Sequence, residues 1–443
     1  MGIKREILKE LEAWKNNPRR KPLVLQGARQ VGKSFILKEF GTNSFKNCVY
    51  LNFDFEKEHK IEFERTKDPL RLIAYISAVK GQKIVPQKTL LIFDEIQECN
   101  DALNSLKYFC ELAPEYVVVC AGSLLGVALN REGASFPVGK VDFLSLYPVS
   151  FNEFLAEYNP NIAKFLQKFV HSFSNNDFPQ VPEIIHSQLI ECYKIYLCLG
   201  GMPEAVSQFL ESRNWDEVDK INRQILVSYT LDFAKHIDNK DIIRVHKLWG
   251  NIQDNLAKED RKFRYALIEN NARARDYENA IEWLSLTGLI HRAFEVQTPR
   301  FPVSSYKNSS AFKLYLSDVG LLRTKFGLTP STVLKGDTLF TEFKGVLTEN
   351  YVLQSLVRQF GNEQYYWASG NIAEVEFLLQ NANQIIPVEV KSSLSVKARS
   401  LAEYRKKYEP QTAIRFSLKN LKKDDDLMNI PLYLADYLKD LLM

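Results

Sequence analysis

Residues 22–37, PLVLQGARQVGKSFIL, decide the fold of this chain. The apolar beginning of the stretch predicts a short strand, and its end predicts the start of a helix. Between them, residues 27–34, GARQVGKS, fit G-x-x-x-x-G-K-[ST], the phosphate-binding P-loop. Glycines let such a loop turn sharply with its amides directed at phosphate oxygens, and the helix presents its positive end to them. The alternative is a chance match in an ordinary glycine turn.

The P-loop pattern gives each residue a role. Lys33 is expected to reach the outer phosphates, and Ser34 to offer its hydroxyl to a magnesium ion. The pattern therefore predicts ATP and Mg²⁺ as cofactors. The predicted nucleotide-binding residues are Gly27, Ala28, Arg29, Gln30, Val31, Gly32, Lys33 and Ser34.

A second stretch, residues 89–95 (TLLIFDE), supplies acids that complement the P-loop. Its apolar run is typical of a buried parallel strand whose carboxyl end opens on a ligand site. Asp94 is expected to hold the magnesium, directly or through water, and also to complete the nucleotide site, while Glu95 would polarise the attacking water. Taken alone, the two acids are also compatible with a helix N-cap after a strand.

A third element of the site is predicted after the strand at residues 116–120, YVVVC. Ser123 follows this strand. If the strand lies between those of the P-loop and of the acids, the Ser123 hydroxyl can touch the outermost phosphate or the attacking water. The alternative is a turn serine.

Apolar strands alternate with helices over residues 1–150, which predicts a parallel sheet covered on both faces. Other strands are expected at residues 48–54 and after residue 144. Ser150 with Glu153 three residues later fits a capping box that opens the next helix.

Composition limits the class of protein. The chain has 443 residues, 45% hydrophobic and 25% charged, which predicts an ordinary globular protein of two or three domains. A net charge of +4 confines any nucleic-acid contact to local patches. The first 17 residues predict a charged amphipathic helix, not a signal peptide, and no apolar run reaches the length of a membrane span. Six cysteines without C-x-x-C spacing suit a reducing cytoplasm.

The middle of the chain is predicted to hold a helical lid at residues 151–235 and a winged-helix-like domain at residues 236–330. The second rests on helices followed by a strand pair at residues 289–296 and 312–316. Positive charge gathers there and predicts a duplex DNA surface, with a solvated face or a protein contact as alternatives. The basic residues are Lys258, Arg261, Lys262, Arg264, Arg273, Arg275, Arg292, Arg300 and Lys307.

The last module, residues 335–443, has the element order helix, three strands, helix, strand, which is that of restriction-endonuclease-like nucleases. Glu376 is on the middle strand. Glu389 and Lys391 are predicted to share a face of the next strand, since side chains alternate along it. The carboxylates could hold magnesium while Lys391 orients a hydroxide, with Glu349 of the helix as a third ligand. A surface ion pair gives the same letters.

Together these parts resemble prokaryotic ATPases of the AAA+ superfamily that carry a C-terminal restriction-endonuclease-like domain. The resemblance spans nearly the whole chain and rests on GARQVGKS, YLNFD, LLIFDEIQ, AGSLLG, LYPVSFNEF, GGMPEAV, FKLYLSDVGLL, FKGVLTENYV, YYW, AEVEF and IIPVEVKSS. It implies an α/β protein with a P-loop AAA+ parallel-sheet domain, a helical and winged-helix middle region and a C-terminal restriction-endonuclease-like α/β domain.

The resemblance also implies roles for residues. Lys33, Glu95 and Ser123 would be catalytic, Ser34 and Asp94 would hold Mg²⁺ with ATP, and the last domain would carry a second metal site. That second site comprises Glu349, Glu376 and Glu389 with Lys391. The sequence departs from the family at Glu376, where aspartate is usual, and at Lys140, where arginine is common.

The sequence thus predicts a cytoplasmic Mg²⁺-dependent ATPase whose nucleotide state acts on its C-terminal half. The rival interpretations are an ATP-gated DNA nuclease and a non-catalytic, ATP-bound scaffold. Duplex DNA and another protein are both candidate partners, and no membrane is expected. A homo-oligomer is also compatible with the sequence, because in AAA+ proteins a neighbouring copy often supplies an arginine to the outer phosphate. Arg131 is a guess for that arginine.

Overall fold

A computed structural model describes residues 2–122, 137–173, 179–237, 239–258, 260–335, 341–370, 373–393 and 399–442. The chain divides into two compact units. The first unit comprises residues 4–147 with residues 286–288, and the second comprises residues 1–3, 148–285 and 289–443.

The first unit contains a five-stranded sheet with helices between its strands. The strands are β1 (Leu23–Gln26), β2 (Asn47–Asn52), β3 (Thr89–Asp94), β4 (Val117–Ala121) and β5 (Asp142–Ser145). The helices are α1 (Ile7–Asn16), α2 (Lys33–Ser44), α3 (His59–Arg65), α4 (Pro69–Lys80) and α5 (Asn100–Leu112).

All strand pairs of this sheet are parallel, and the order is β2-β3-β4-β1-β5. The predicted parallel sheet is therefore confirmed. Strands β3 and β4 are buried along their whole lengths, as their uninterrupted apolar runs predict. Phe53, Phe63 and Phe93 pack edge to face on one another with ring centroids 5.3–5.9 Å apart. This packing fixes the acidic end of β3 against the neighbouring helices.

The second unit combines helices with a mixed sheet. Its helices are α6 (Phe151–Tyr158), α7 (Pro160–His171), α8 (Glu183–Leu199), α9 (Pro203–Ser212), α10 (Trp215–His236), α11 (Asn239–Leu256), α12 (Ala274–Leu286), α13 (Val319–Lys325), α14 (Pro330–Lys335), α15 (Thr341–Phe360), α16 (Arg399–Tyr408) and α17 (Leu438–Leu441). Its strands are β6 (Ile290–Val296), β7 (Lys307–Leu316), β8 (Gln364–Ser369), β9 (Ala373–Asn381), β10 (Gln384–Val390), β11 (Ala413–Ser417), β12 (Lys422–Asp424) and β13 (Leu427–Pro431).

These eight strands form one sheet in the order β12-β13-β11-β10-β9-β8-β6-β7. The strand pair expected as the wing of a separate domain is therefore an edge of the sheet that belongs to the last module. Strand β6 pairs antiparallel with β7 and parallel with β8, aligning Ala293 with Gln364 and Val296 with Trp367. A free wing would expose β6, but most of its residues are buried, as in an internal strand. The divisions predicted near residues 235 and 335 do not separate compact units.

The helix after the first unit begins as the sequence predicts. The side chain of Ser150 accepts a hydrogen bond from the Glu153 amide at 3.0 Å, and Glu153 Oε2 accepts one from the Ser150 amide at 2.8 Å. This reciprocal capping box fixes the first turn of α6. Among the helices in the described ranges, none has the length and apolar character needed to cross a bilayer.

Candidate functional site

The P-loop connects β1 to α2 in the first unit, as the motif requires. Gly32 is in the left-handed region with φ 93°, at the N-cap of α2. Gly27 has φ 148°, and a Cβ at this position would lie 2.2 Å from the carbonyl oxygen of Leu146. Other residues would be strained at both positions, so the two glycines set the shape of the loop. The N-terminus of α2, with its free amides, is thereby directed at the loop interior.

Lys33 extends back over the loop from the first turn of α2. Its Nζ donates hydrogen bonds to the carbonyl oxygens of Gly27 at 2.7 Å and Ala28 at 2.8 Å. The residue is 8% exposed. Burial lowers the pKa of Lys33 to about 8, although the charges of Glu95 and Asp94 act in the opposite direction. The loop therefore places a cation among carbonyls and near two acids, where it can exchange these partners for phosphate oxygens.

Asp94 is the last residue of β3 and is 2% exposed. Its Oδ2 accepts a hydrogen bond from the hydroxyl of Tyr50 at 2.6 Å, and its Oδ1 accepts one from the amide of Glu95 at 3.0 Å. The hydroxyl of Tyr50 in turn accepts from the side-chain amide of Asn52 at 3.2 Å. These hydrogen bonds hold the carboxylate of Asp94 in one orientation. Each of its oxygens has a further lone pair, so the group can still accept hydrogen bonds from metal-bound water.

Glu95 follows the strand in the left-handed conformation, with φ 50°. Such a backbone is uncommon for a residue with a side chain and persists where the surroundings impose it. Gln97 donates from Nε2 to Glu95 Oε2 at 2.5 Å, which restricts the position of the carboxylate. A carboxylate fixed beside the P-loop lysine is suited to orient and polarise water.

Strand β4 lies between β1 and β3 in the sheet, which is the placement that the role of Ser123 requires. Ser123 and Arg131 lie outside the described residues, so their roles stay predictions. Ser34 is half-buried in the first turn of α2, next to Lys33.

Two residues at this site escape the sequence analysis. Tyr50, on β2, is one, because the register that aligns Asn52 with Asp94 across β2 and β3 cannot be deduced from the spacing of the residues. Arg5 is the other. It donates hydrogen bonds to the carbonyls of Val31 at 3.2 Å and Tyr147 at 2.6 Å, and so links the P-loop to residues far away in sequence. For Tyr50, the available sequence signal is the segment YLNFD, which places polar side chains at the end of a strand.

The four residues of the predicted nuclease-like site lie in the second unit. Glu389 and Lys391 form an ion pair, as strand alternation predicts, and Lys391 Nζ lies 3.7 Å from Glu376 Oε1. Burial, together with the charge of Glu376, raises the pKa of Glu389 to about 8, against the influence of Lys391. Glu349 instead pairs with Arg261. Within the part of the chain that the structure describes, no group of three or more histidine, cysteine, aspartate or glutamate side chains is arranged to hold a metal.

Much of the predicted basic surface is neutralised by neighbouring acids. Five of the nine residues form ion pairs: Arg261 with Glu349, Lys262 with Glu295, Arg264 with Asp260, Arg275 with Asp276 and Lys307 with Glu363. Arg292 lies over the ring of Phe294. Lys258, Arg273 and Arg300 are exposed. The positive charge counted in the sequence is thus larger than the charge available to a polyanion.

Comparison with known families agrees with the geometry of the first unit. Residues 19–155 match the family model described as an AAA domain. Over these residues the chain is similar to AAA domains. Residues 190–332 and 344–434 match two domains of unknown function, DUF8612 and DUF4143. No curated protein matches the chain in sequence.

Several solved structures are similar to the chain at low identity. The Walker-type ATPase paby2304 of Pyrococcus abyssi is 14% identical, with a TM-score of 0.44, over 73% of this chain and 96% of that one. The ORC2 protein of Aeropyrum pernix, in ADPNP–ADP complexes, is 11% identical over 75% and 95%, with a TM-score of 0.35. The RuvB Holliday junction branch migration motor of Thermotoga maritima is 14% identical over 67% and 90%, with a TM-score of 0.28.

Proposed function

We propose that this protein binds ATP with Mg²⁺ at the P-loop of its AAA domain and hydrolyses it. The observation that carries the proposal is the buried Lys33, held in the P-loop under the influence of Asp94 and Glu95. The residues fit both cofactors, since the loop offers amides and a cation to phosphates and Asp94 retains acceptor capacity for a hydrated metal. Ser34 and Asp94 would hold the Mg²⁺, which would supply positive charge to offset the negative charge that develops on the outer phosphates.

Each residue has a defined task in this proposal. Lys33 leaves the carbonyls of Gly27 and Ala28 to bind the outer phosphates, and Ser34 with Asp94 holds the metal and its water. Glu95, restrained by Gln97, orients the attacking water and accepts its proton. Ser123 is proposed to contact the outermost phosphate.

Substitution of Lys33 tests this assignment. We expect Lys33→Ala to abolish ATP binding or turnover, because the loop would lose the cation that is proposed to bind the outer phosphates. Binding of a fluorescent ATP analogue and phosphate release should be measured together. Lys46→Ala, which removes an exposed lysine from the same unit, is the matched control. Undiminished hydrolysis in Lys33→Ala would refute the proposal.

The nucleotide state is proposed to act on the second unit, where duplex DNA is the candidate partner. The exposed cations Lys258, Arg273 and Arg300 favour DNA. Three phosphate contacts would give a slope of about −2.7 in a plot of log affinity against log salt concentration, since each contact contributes about −0.9. The triple substitution to glutamine should flatten the slope, whereas substitution of the ion-paired Lys262, Arg264 and Lys307 should change it less. Absence of binding even at low salt would favour a protein partner.

We also propose a cytoplasmic location and assembly into a homo-oligomer. The six cysteines, all within the described residues, are free, which suits the reducing cytoplasm that we propose. A homo-oligomer would let a neighbouring copy contribute an arginine to the outer phosphate. Specific ATPase activity that rises with protein concentration would support such an assembly.

A further inference from the structure

Seven charged side chains of the second unit form a cluster of two ion-paired groups, and the charges of Glu376 and Arg261 act across the groups on Lys313 and Lys391. They come from the segment of residues 260–264, from β7, β9 and β10, from the residue that follows β10, and from α15. The members are Arg261, Lys313, Glu349, Glu374, Glu376, Glu389 and Lys391. Three of its four glutamates are those of the predicted second metal site.

Lys313 is the innermost cation of this cluster. Its side chain has no exposed surface, it pairs with Glu374, and its Nζ lies 3.7 Å from Glu349 Oε1. An ammonium is buried so completely only where acids compensate its charge. The positively charged Lys313 therefore lies between the carboxylates of Glu349 and Glu374.

Arg261 supplies the second cation. Its guanidinium pairs with Glu349, whose side chain is 1% exposed and which also accepts a hydrogen bond from the hydroxyl of Tyr315. The backbone of Arg261 is in the left-handed region, with φ 51°. Such a conformation is unfavourable for a residue with a side chain, so the surrounding contacts must hold it.

The residues beside Arg261 attach to the same sheet. Lys262 Nζ lies 3.1 Å from Glu295 Oε2 on β6. The ring of Phe263 stacks on that of Phe312, with centroids 5.3 Å apart, and its amide donates to the Phe312 carbonyl at 2.9 Å. Three consecutive side chains thus fasten the segment of residues 260–264 to the sheet.

Lys391 supplies the third cation, so three cations face four carboxylates, and burial with the charge of Glu376 raises the pKa of Glu389. Lys391 pairs with Glu389 and lies 3.7 Å from Glu376. Each of the four glutamates therefore has a cation of the chain within 4.0 Å. A divalent metal placed among them would meet three positive charges at short range, and in a buried site that repulsion is large.

We propose that this cluster is a metal-free ionic clamp, in which Arg261 and Lys313 take the place of a metal and Arg261 fastens the segment of residues 260–264 to the sheet. The residues do not fit the divalent cation that the resemblance to nucleases implies. On this account the last module is not a nuclease. This inference is independent of ATP hydrolysis by the first unit.

A double-mutant cycle tests the clamp. Arg261→Gln and Glu349→Gln should each lower the melting temperature of the full chain by several degrees. The melting temperature of the double variant should fall by clearly less than the sum of the two single decreases, because each substitution breaks the same ion pair. Lys258→Gln, which removes an exposed charge nearby, is the control and should leave the melting temperature unchanged. Additive effects would overturn the clamp. If Glu349→Gln does not fold, the cycle of Lys262→Gln with Glu295→Gln tests the same attachment.

Metal binding tests the second half of the proposal. Mn²⁺ is titrated into the nucleotide-free protein and the heat of binding is measured by calorimetry. We expect the wild type and Glu389→Gln to give the same result, because Glu389 does not bind the metal. The same protein should not nick a plasmid with Mg²⁺ or Mn²⁺. Mn²⁺ binding lost in Glu389→Gln, or nicking lost in Lys391→Ala, would overturn the metal-free assignment.

Discussion

Lys33 is the residue on which the proposed nucleotide binding and its expected pH dependence rest. Because burial lowers its pKa from 10.5 to about 8, Lys33 loses its proton in the free protein at a pH where an exposed lysine keeps it. The phosphates of ATP attract the protonated form. Above pH 8, binding must therefore be accompanied by proton uptake.

We expect the affinity for ATP to fall as the pH rises from 8 to 9.5, by up to about tenfold per pH unit. Equilibrium titration with a fluorescent ATP analogue over this range measures the effect. The sign for stability is opposite: between pH 8 and 10.5 the unfolded chain holds more protons at this lysine, so its contribution to the free energy of unfolding rises with pH. An affinity that is constant to pH 9.5 would contradict the environment described for Lys33.

Tyr50 is expected to position Asp94 for the metal. Burial and the hydrogen bond to Asp94 raise the pKa of Tyr50, so its hydroxyl remains a donor. Tyr50→Phe removes this bond but keeps the ring, at a cost of about 1 kcal/mol, or roughly fivefold. We expect the Mg²⁺ concentration for half-maximal ATP hydrolysis to rise by that factor.

ATP binding in the presence of EDTA should be unchanged in Tyr50→Phe, which separates a role in positioning the metal ligand from a general loss of structure. Tyr116→Phe, a half-buried tyrosine before β4, is the matched control. An unaltered Mg²⁺ requirement in Tyr50→Phe would mean that Asp94 does not depend on this hydrogen bond.

At the same scale, sequence predicts the residues whose neighbours are close along the chain. The P-loop and the acids after β3 belong to short motifs, because their geometry is set within a few residues. Arg5 and Tyr50 act on residues 26 and 44 positions away, and only the folded sheet brings these partners together. The raised pKa of Glu389 is likewise a consequence of burial, which no spacing rule provides.

Among the elements, α6 is the helix whose start the sequence specifies most directly. Ser150→Ala removes the side-chain half of its capping box and should lower the free energy of unfolding by about 1 kcal/mol. Urea denaturation of the full chain, read at the transition of the second unit, measures this loss. Ser309→Ala removes an exposed serine from β7 and should have no effect. A loss in both variants, or in neither, would show that the cap does not stabilise α6.

The strand pair β6–β7 shows where prediction of elements ends. Its hydrophobic pattern indicates two strands, and both form. The pattern does not indicate that β6 has a second neighbour, because β8 begins 68 residues after the end of β6 and parallel pairing leaves no turn signal. A ribbon attributed to one domain thus became the edge of another domain's sheet.

On the scale of the whole molecule, the count of charges overestimates the surface available to a partner. The basic residues cluster in the sequence, but five of the nine pair with acids that the fold brings to them. The same principle applies to the glutamates of the last module. Their order in the sequence resembles that of a metal site, but in the folded chain they form ion pairs with cations. The nucleotide-binding assignment is more robust, since its motif, sheet order and family similarity agree.

Phosphate release by Glu95→Gln, measured beside ATP binding in the same preparation, tests most directly whether the AAA domain hydrolyses ATP as described. The variant keeps the size of the side chain but loses the carboxylate that accepts a proton. We predict ATP binding equal to that of the wild type and phosphate release slower by about a hundredfold or more. Phosphate release at the wild-type rate would contradict the account, because hydrolysis would then not depend on the carboxylate beside Lys33.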